Sequence, residues 1–84
     1  YTEAVKWYTT AAEQGFSRAQ NNLGNMYLSG KGVPQNYVQA HMWFGLAFEQ
    51  GLTKAGENRD KVAGRMTPAQ IDRAETLAQQ WEPK

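Results

Sequence analysis

The sequence contains no cysteine, one histidine and only two serines. Without cysteine, neither a disulfide framework nor a thiolate metal site can form, an absence that fits any cellular compartment. Nucleophilic or acid–base catalysis has little material. Ser17 reads as a helix N-cap and Ser29 as part of a helix end. Charge of one sign is also lacking: nine Lys and Arg face eight Asp and Glu, interspersed, for a net charge of +1. That argues against a dedicated nucleic-acid or membrane-surface binder, which would need a basic patch or stripe. No apolar run approaches the roughly 18 residues of a membrane span, and no signal-peptide pattern is present. The 84 residues allow one small domain. Chains of this size bury only about 60% of the surface exposed when unfolded, so dense helix packing must supply the core.

What is present is a repeat. Tyr1–Gly15 (YTEAVKWYTTAAEQG) lies over Tyr37–Gly51 (YVQAHMWFGLAFEQG) at an offset of 37 − 1 = 36. Seven of the fifteen positions are identical: Tyr1/Tyr37, Ala4/Ala40, Trp7/Trp43, Ala11/Ala47, Glu13/Glu49, Gln14/Gln50 and Gly15/Gly51. A fixed period between about 20 and 50 residues marks a solenoid, whose repeats bury their apolar faces against one another. The spacing divides the chain into the second helix of a preceding repeat (1–15), a complete repeat (16–51) and a degenerate C-terminal capping repeat (52–84). The chain opens in mid-repeat without a methionine and reads as a piece of a longer protein.

Five helices are expected. The first runs from Thr2 to Gln14, with Tyr1, Ala4, Tyr8 and Ala11 on one face at helical spacing and Val5 and Ala12 beside them. Gly15 supplies the left-handed residue that ends it. Ser17 is expected to cap the second helix, which extends to Leu28 and packs through Ala19, Leu23, Met26 and Tyr27. Gly24, in mid-helix, costs about 1 kcal/mol relative to alanine, for which close approach of a neighbour would compensate. Gly30 stops this helix, and Lys31–Gln35 forms a loop around Pro34. Asn36 caps a third helix that ends at Gly51 and carries Tyr37, Ala40, Trp43, Phe44, Ala47 and Phe48. Gly45 within it suggests another tight crossing. The fourth helix, Lys54 to Arg65, is anchored by Ala55, Val62, Ala63 and Met66. Thr67-Pro68-Ala69-Gln70 has the pattern of a capping box with proline at the first position. The fifth helix follows, with Ile71, Ala74, Ala78 and Trp81 on one stripe. It forms, with the fourth, a polar final pair of the kind that a solenoid cap needs.

Several features could carry chemistry. His41 takes the place that Val5 holds one repeat earlier and is expected to be a packed or interface histidine. No metal-ligand cluster surrounds it in sequence. Gly30-Lys31-Gly32 lacks the full phosphate-loop pattern and follows a helix rather than a strand. Trp7, Tyr8, Trp43, Phe44 and Phe48 recur at helical spacing and at the 36-residue offset, which assigns them to the core rather than to a ligand cage. Glu13 and Glu49 lie in last helical turns, where the dipole disfavours an anion by about 0.3–1 kcal/mol. Each is expected to face the next helix start, at Ser17/Arg18 or Thr53/Lys54, and clip the turn.

Ala19-x-x-x-Leu23-Gly24-x-x-Tyr27, then Gly32-Val33-Pro34-Gln35-Asn36-Tyr37, then Ala40-x-x-Trp43-x-x-x-Ala47-x-Glu49-x-Gly51 resembles the Sel-one-like repeat, a branch of the tetratricopeptide-like solenoids. Met66–Trp81 resembles the closing segment of bacterial members. The resemblance implies an all-α fold: a right-handed α/α superhelix of antiparallel helix pairs, acting as a protein- or peptide-binding scaffold without catalysis or cofactor. Cysteine-rich bacterial relatives are associated with β-lactam chemistry, but this chain has none of their cysteines.

In that architecture the first helix of each pair lines the concave side. Arg18, Asn21, Asn22 and Asn25 are thereby placed toward a groove, and the 36-residue shift adds Lys54, Asn58 and Lys61. Asparagine amides can bond a peptide backbone while the cations meet carboxylates, so extended acidic or carboxylate-ended peptides are the expected partners. The first helix, with Tyr1, Ala4, Val5 and Tyr8, is expected to leave an apolar face that promotes self-association. A structural spacer within a longer solenoid and a hydrolase are the other function classes, and the latter lacks a nucleophile–base pair.

Overall fold

The computed structural model describes residues 2–83. They form five helices and, among the described residues, no strand: α1 (Thr2–Glu13), α2 (Ser17–Ser29), α3 (Tyr37–Glu49), α4 (Thr53–Ala63) and α5 (Pro68–Gln80). The expectations placed on Tyr1 lie outside the described residues.

The α1–α2 and α3–α4 turns are built identically. Gly15 and Gly51 both adopt φ +98°. Gly15 N–H donates to Ala12 O (3.0 Å) and Phe16 N–H to Ala11 O (3.2 Å). Gly51 N–H likewise donates to Phe48 O (2.9 Å) and Leu52 N–H to Ala47 O (3.1 Å). These are Schellman closures, which place an apolar residue just after the glycine. The same residue must also serve as the N-cap of the next helix, because the turn is so short. Phe16 and Leu52 therefore occupy the N-cap positions, neither of which carries a side-chain cap hydrogen bond. Ser17, expected to be the cap, is instead the first residue of α2. The demand of the closing turn outweighs the usual preference for a polar cap. The other two caps form as the sequence indicates. Asn36 accepts from Gln39 N–H (3.1 Å), and Thr67 and Gln70 close a reciprocal capping box.

α3 is the hub of the molecule. It packs against α2, α4 and α5, and every residue from Ala40 to Ala47 is buried. A helix enclosed on several sides must be apolar nearly all round, which α3 is. One flank joins Trp43, Met42 and Leu46 to Ala12, Ala19 and Leu23, with Leu77, Ala78 and Trp81 of α5 over them. The other joins Ala40 and Phe44 to Val62, with Leu28, Tyr37 and Met66 at its margin. α5 consequently returns to α3 rather than forming a closing pair with α4. The Trp43 and Trp81 rings meet edge to face, 6.0 Å between centroids.

Two glycines set the closest helix approaches. A Cβ built on Gly24 would fall 2.6 Å from Phe44 Cε1, so α2 lies flat on that ring. The second close crossing is not at Gly45, whose Cβ would find Arg59 Cδ at an ordinary 3.8 Å. It is at Gly56, where a Cβ would meet Phe48 Cδ1 at 2.5 Å. The repeat offset explains the exchange: Ala12 and Gln20 in one copy correspond to Phe48 and Gly56 in the next. The small residue has moved from α3's predecessor to α4, and the large one in the opposite sense.

Candidate ligand-binding surface

Two amides join the buried side of the first inter-helix turn to α3. Gln20 is fully buried and donates through Nε2 to Ala12 O (3.1 Å), while its Oε1 accepts from Gln50 Nε2 (2.6 Å). Gln50 Nε2 also donates to Leu46 O (3.4 Å). The clip expected of Glu49 is not observed: its side chain is exposed, and it lines a cleft beside α5 rather than bonding Thr53 or Lys54. A neutral amide can both donate and accept in a buried place, whereas a carboxylate there would have to be desolvated.

The seven candidate groove residues fall on α2 and α4. Asn58 Nδ2 donates to Asn21 Oδ1 (3.0 Å), so the two helices come together along the expected stripe. Asn21, Asn22 and Asn58 are half-buried, whereas Arg18, Asn25, Lys54 and Lys61 are exposed. At one end, Arg18 and Asn22 line a groove of about 450 Å³ with Ala4, Trp7, Tyr8 and Ala11 of α1. At the other, Lys61 shares a hollow of about 310 Å³ with Leu28, Val62 and Arg65. The amides of Asn21 and Asn58 are engaged with each other, which leaves Asn22 and Asn25 as the freer amides of the stripe.

Assigning all five aromatics to the core was incorrect for two. Trp43 and Phe44 are buried, but Trp7 is 78% exposed and Phe48 is 41% exposed. Trp7 and Trp43 are repeat-equivalent, yet only Trp43 has α5 over it, so its exposure falls to 6%. Trp7 thus joins the α1–α2 groove. Phe48 carries the Arg59 guanidinium 4.8 Å above its ring, a cation–π contact.

His41 is buried, as expected. Its pKa is held below the ordinary 6.5, first by burial and then by Arg59, against the opposing pull of Glu75 and Asp60. Trp43 Nε1 is a buried donor without a hydrogen-bond partner among the described residues. No group of three or more His, Asp or Glu side chains among the described residues is placed to hold a metal ion.

With the repeat geometry in place, comparison with known proteins identifies its kind. The Sel1 repeat profile matches residues 1–16 and 17–52. The chain belongs to the Sel1 repeat family. It is also similar to c5321, a protective antigen of uropathogenic Escherichia coli strains whose crystal structure displays an SLR fold, with a TM-score of 0.92 and 41% identity. That match covers 95% of this chain and 17% of the antigen. A protein of Neisseria meningitidis serogroup B, NMB1327, described as uncharacterized, is 58% identical over 33 residues, or 39% of this chain and 7% of that protein. The chain therefore spans less than a fifth of either relative. The helical solenoid and its bacterial relatives agree with the resemblance drawn from the motifs, and a Sel1 repeat segment is consistent with a protein-binding helical scaffold. No helix among the described residues is long and apolar enough to cross a membrane.

Proposed function

We propose that this segment is a non-enzymatic protein-binding module that takes an extended peptide along the α2–α4 stripe, with preference for acidic or carboxylate-ended sequences. The observation that carries the reading is that the stripe's Arg18 and Asn22 open onto the α1–α2 groove, in which the exposed Trp7 indole lies. An exposed aromatic beside a cation and a free amide offers apolar area, a charge for a carboxylate and a hydrogen-bonding group for a peptide backbone. Lys54 and Lys61 extend the positive charge along α4, where Glu57, four residues before Lys61, partly offsets it. The charge preference is tested on an array of extended peptides graded from acidic to basic. Acidic peptides should bind best, and Arg18→Ala with Asn25→Ala should weaken them at least about tenfold, or 1.4 kcal/mol. Equal binding of basic peptides, or unchanged affinity in the double variant at unchanged helicity, overturns the reading.

A second reading has its own support. The chain spans only 17% of the antigen it resembles and 7% of the Neisseria protein. As a spacer it would set the distance between binding repeats elsewhere, and deleting it would alter geometry without removing a contact. Catalysis is disfavoured by the placement of the few candidate groups. Ser29 Oγ donates to Asn25 O (2.9 Å), and the charged groups acting on buried His41 are Arg59, Glu75 and Asp60.

A further inference from the structure

A cleft follows the seam between α3 and α5 and shares no residue with the α2–α4 stripe. Its outer part, about 440 Å³, is bounded by Gly15, Leu46, Glu49, Gln79, Trp81 and Pro83. An inner part of about 110 Å³ continues from Glu49 and Gln79 to Gly45, Glu75, Arg59 and His41.

Three features point to a cation, and a fourth to room for one. His41 is 6% exposed, lines the inner cleft and makes no hydrogen bond to any described residue. Two carboxylates, Glu49 and Glu75, stand on the walls, while Arg59 is already engaged by Asp60 (3.6 Å) and by the Phe48 ring. The C-terminal ends of three helices, α1 at Gly15, α3 at Glu49 and Gln50, and α5 at Gln79 and Trp81, all line the outer cleft. Helix C-termini carry partial negative charge and favour cations. Finally, Gly45 costs α3 stability without serving a close helix crossing, since a Cβ there would meet only Arg59 Cδ at 3.8 Å. Its repeat equivalent is Thr9, so the fold itself does not require glycine at this position.

We propose that this cleft receives a cationic side chain, a lysine ammonium or an arginine guanidinium, from a partner polypeptide. The charged head sits between Glu75 and the His41 ring, Glu49 stands where the inner and outer parts meet, and the aliphatic stem lies over Leu46, Ala78 and Trp81. A neutral imidazole can accept a hydrogen bond from such a head. Burial and Arg59 keep His41 neutral near neutral pH, against Glu75 and Asp60. A metal ion is the weaker occupant, because no described trio of His, Asp or Glu converges here. This site does not depend on the acidic-peptide stripe, and either can fail alone.

The test is a nuclear magnetic resonance titration of the isotope-labelled chain at low ionic strength with four capped amino-acid amides: N-acetyl-arginine, N-acetyl-lysine, N-acetyl-leucine and N-acetyl-glutamate. The arginine or lysine amide should give saturable shifts at Gly45, Gln79, the Trp81 indole and the His41 ring, with a Kd of about 1 mM. Glu49→Gln with Glu75→Gln should weaken that binding at least about tenfold. Both side chains are exposed, so the variant should keep its helical content. Protonating His41 by lowering the pH should also weaken it, by adding a positive charge among Glu49, Glu75, Arg59 and Asp60. Equal shifts with the leucine amide would reduce the cleft to an apolar crevice. Preference for the glutamate amide would assign it to Arg59. Either result, an absence of saturable shifts, or an unaltered Kd in the double variant overturns the proposal.

Discussion

The same substitution at two mid-helix glycines should have opposite effects. Gly24→Ala and Gly45→Ala each remove a helix-interior glycine, which favours the folded state by about 1 kcal/mol. At Gly45 the new methyl meets only Arg59 Cδ at 3.8 Å, an ordinary van der Waals contact, so the gain stands. At Gly24 it would lie 2.6 Å from Cε1 and 2.7 Å from Cδ1 of Phe44, whose ring is fully buried. That ring cannot swing into solvent, so α2 must lift or the ring must leave its rotamer, at about 1–3 kcal/mol. The propensity term is common to both variants and cancels in their comparison. Gly45→Ala should therefore exceed Gly24→Ala in stability by about 1–3 kcal/mol. For a chain of this size each kcal/mol moves Tm by about 4–8 °C. Thermal melts followed by far-ultraviolet circular dichroism resolve that separation. Adding Phe44→Leu should cost less in the Gly24→Ala background than alone, because the steric conflict is relieved as the cavity forms. Equal shifts for the two glycine variants, or strict additivity with Phe44→Leu, would refute the packing argument.

Gln50→Ala should destabilise by about 1–3 kcal/mol, because it leaves Gln20 Oε1 buried without its donor, and urea titration would show this as a lowered midpoint. Glu49→Ala should stay within about 0.5 kcal/mol of the parent, since its carboxylate is exposed. His41 makes stability depend on pH: with the folded pKa held below 6.5, the unfolded chain binds more protons between the two values. Stability is thus full above about 6.5 and falls as pH drops through the folded pKa, and His41→Leu should flatten that part of the Tm–pH curve. The apolar face of Trp7, Ala4 and Tyr8 should make the chain self-associate. Sedimentation velocity should show less association for Trp7→Glu, and a clean monomer of the parent at high concentration would refute the expectation.

Most of the helix plan was legible because it depends on local chemistry. Glycine at Gly15, Gly30 and Gly51, the Asn36 cap, and the Thr67–Gln70 box act within a few residues, so sequence alone located those ends. The 36-residue echo, together with the Leu23-Gly24 and Trp43 positions, was enough to identify the Sel1 repeat. The stripe of Arg18, Asn21, Asn22, Asn25, Lys54, Asn58 and Lys61 was read from the resemblance, and its use as a binding surface is still a proposal. Sequence reasoning failed wherever one residue had to satisfy two elements or a partner came from afar. Phe16 and Leu52 are caps only because a Schellman closure and a helix start share them. Gly24 and Gly45 look alike in sequence and differ in what lies opposite. Trp7 and Trp43 occupy the same position of the repeat, but whether an indole is core or surface is decided by α5, at Trp81, 81 − 43 = 38 residues downstream of the buried one. Burial is a property of the assembled packing, and the local pattern specifies only which face is available to be buried.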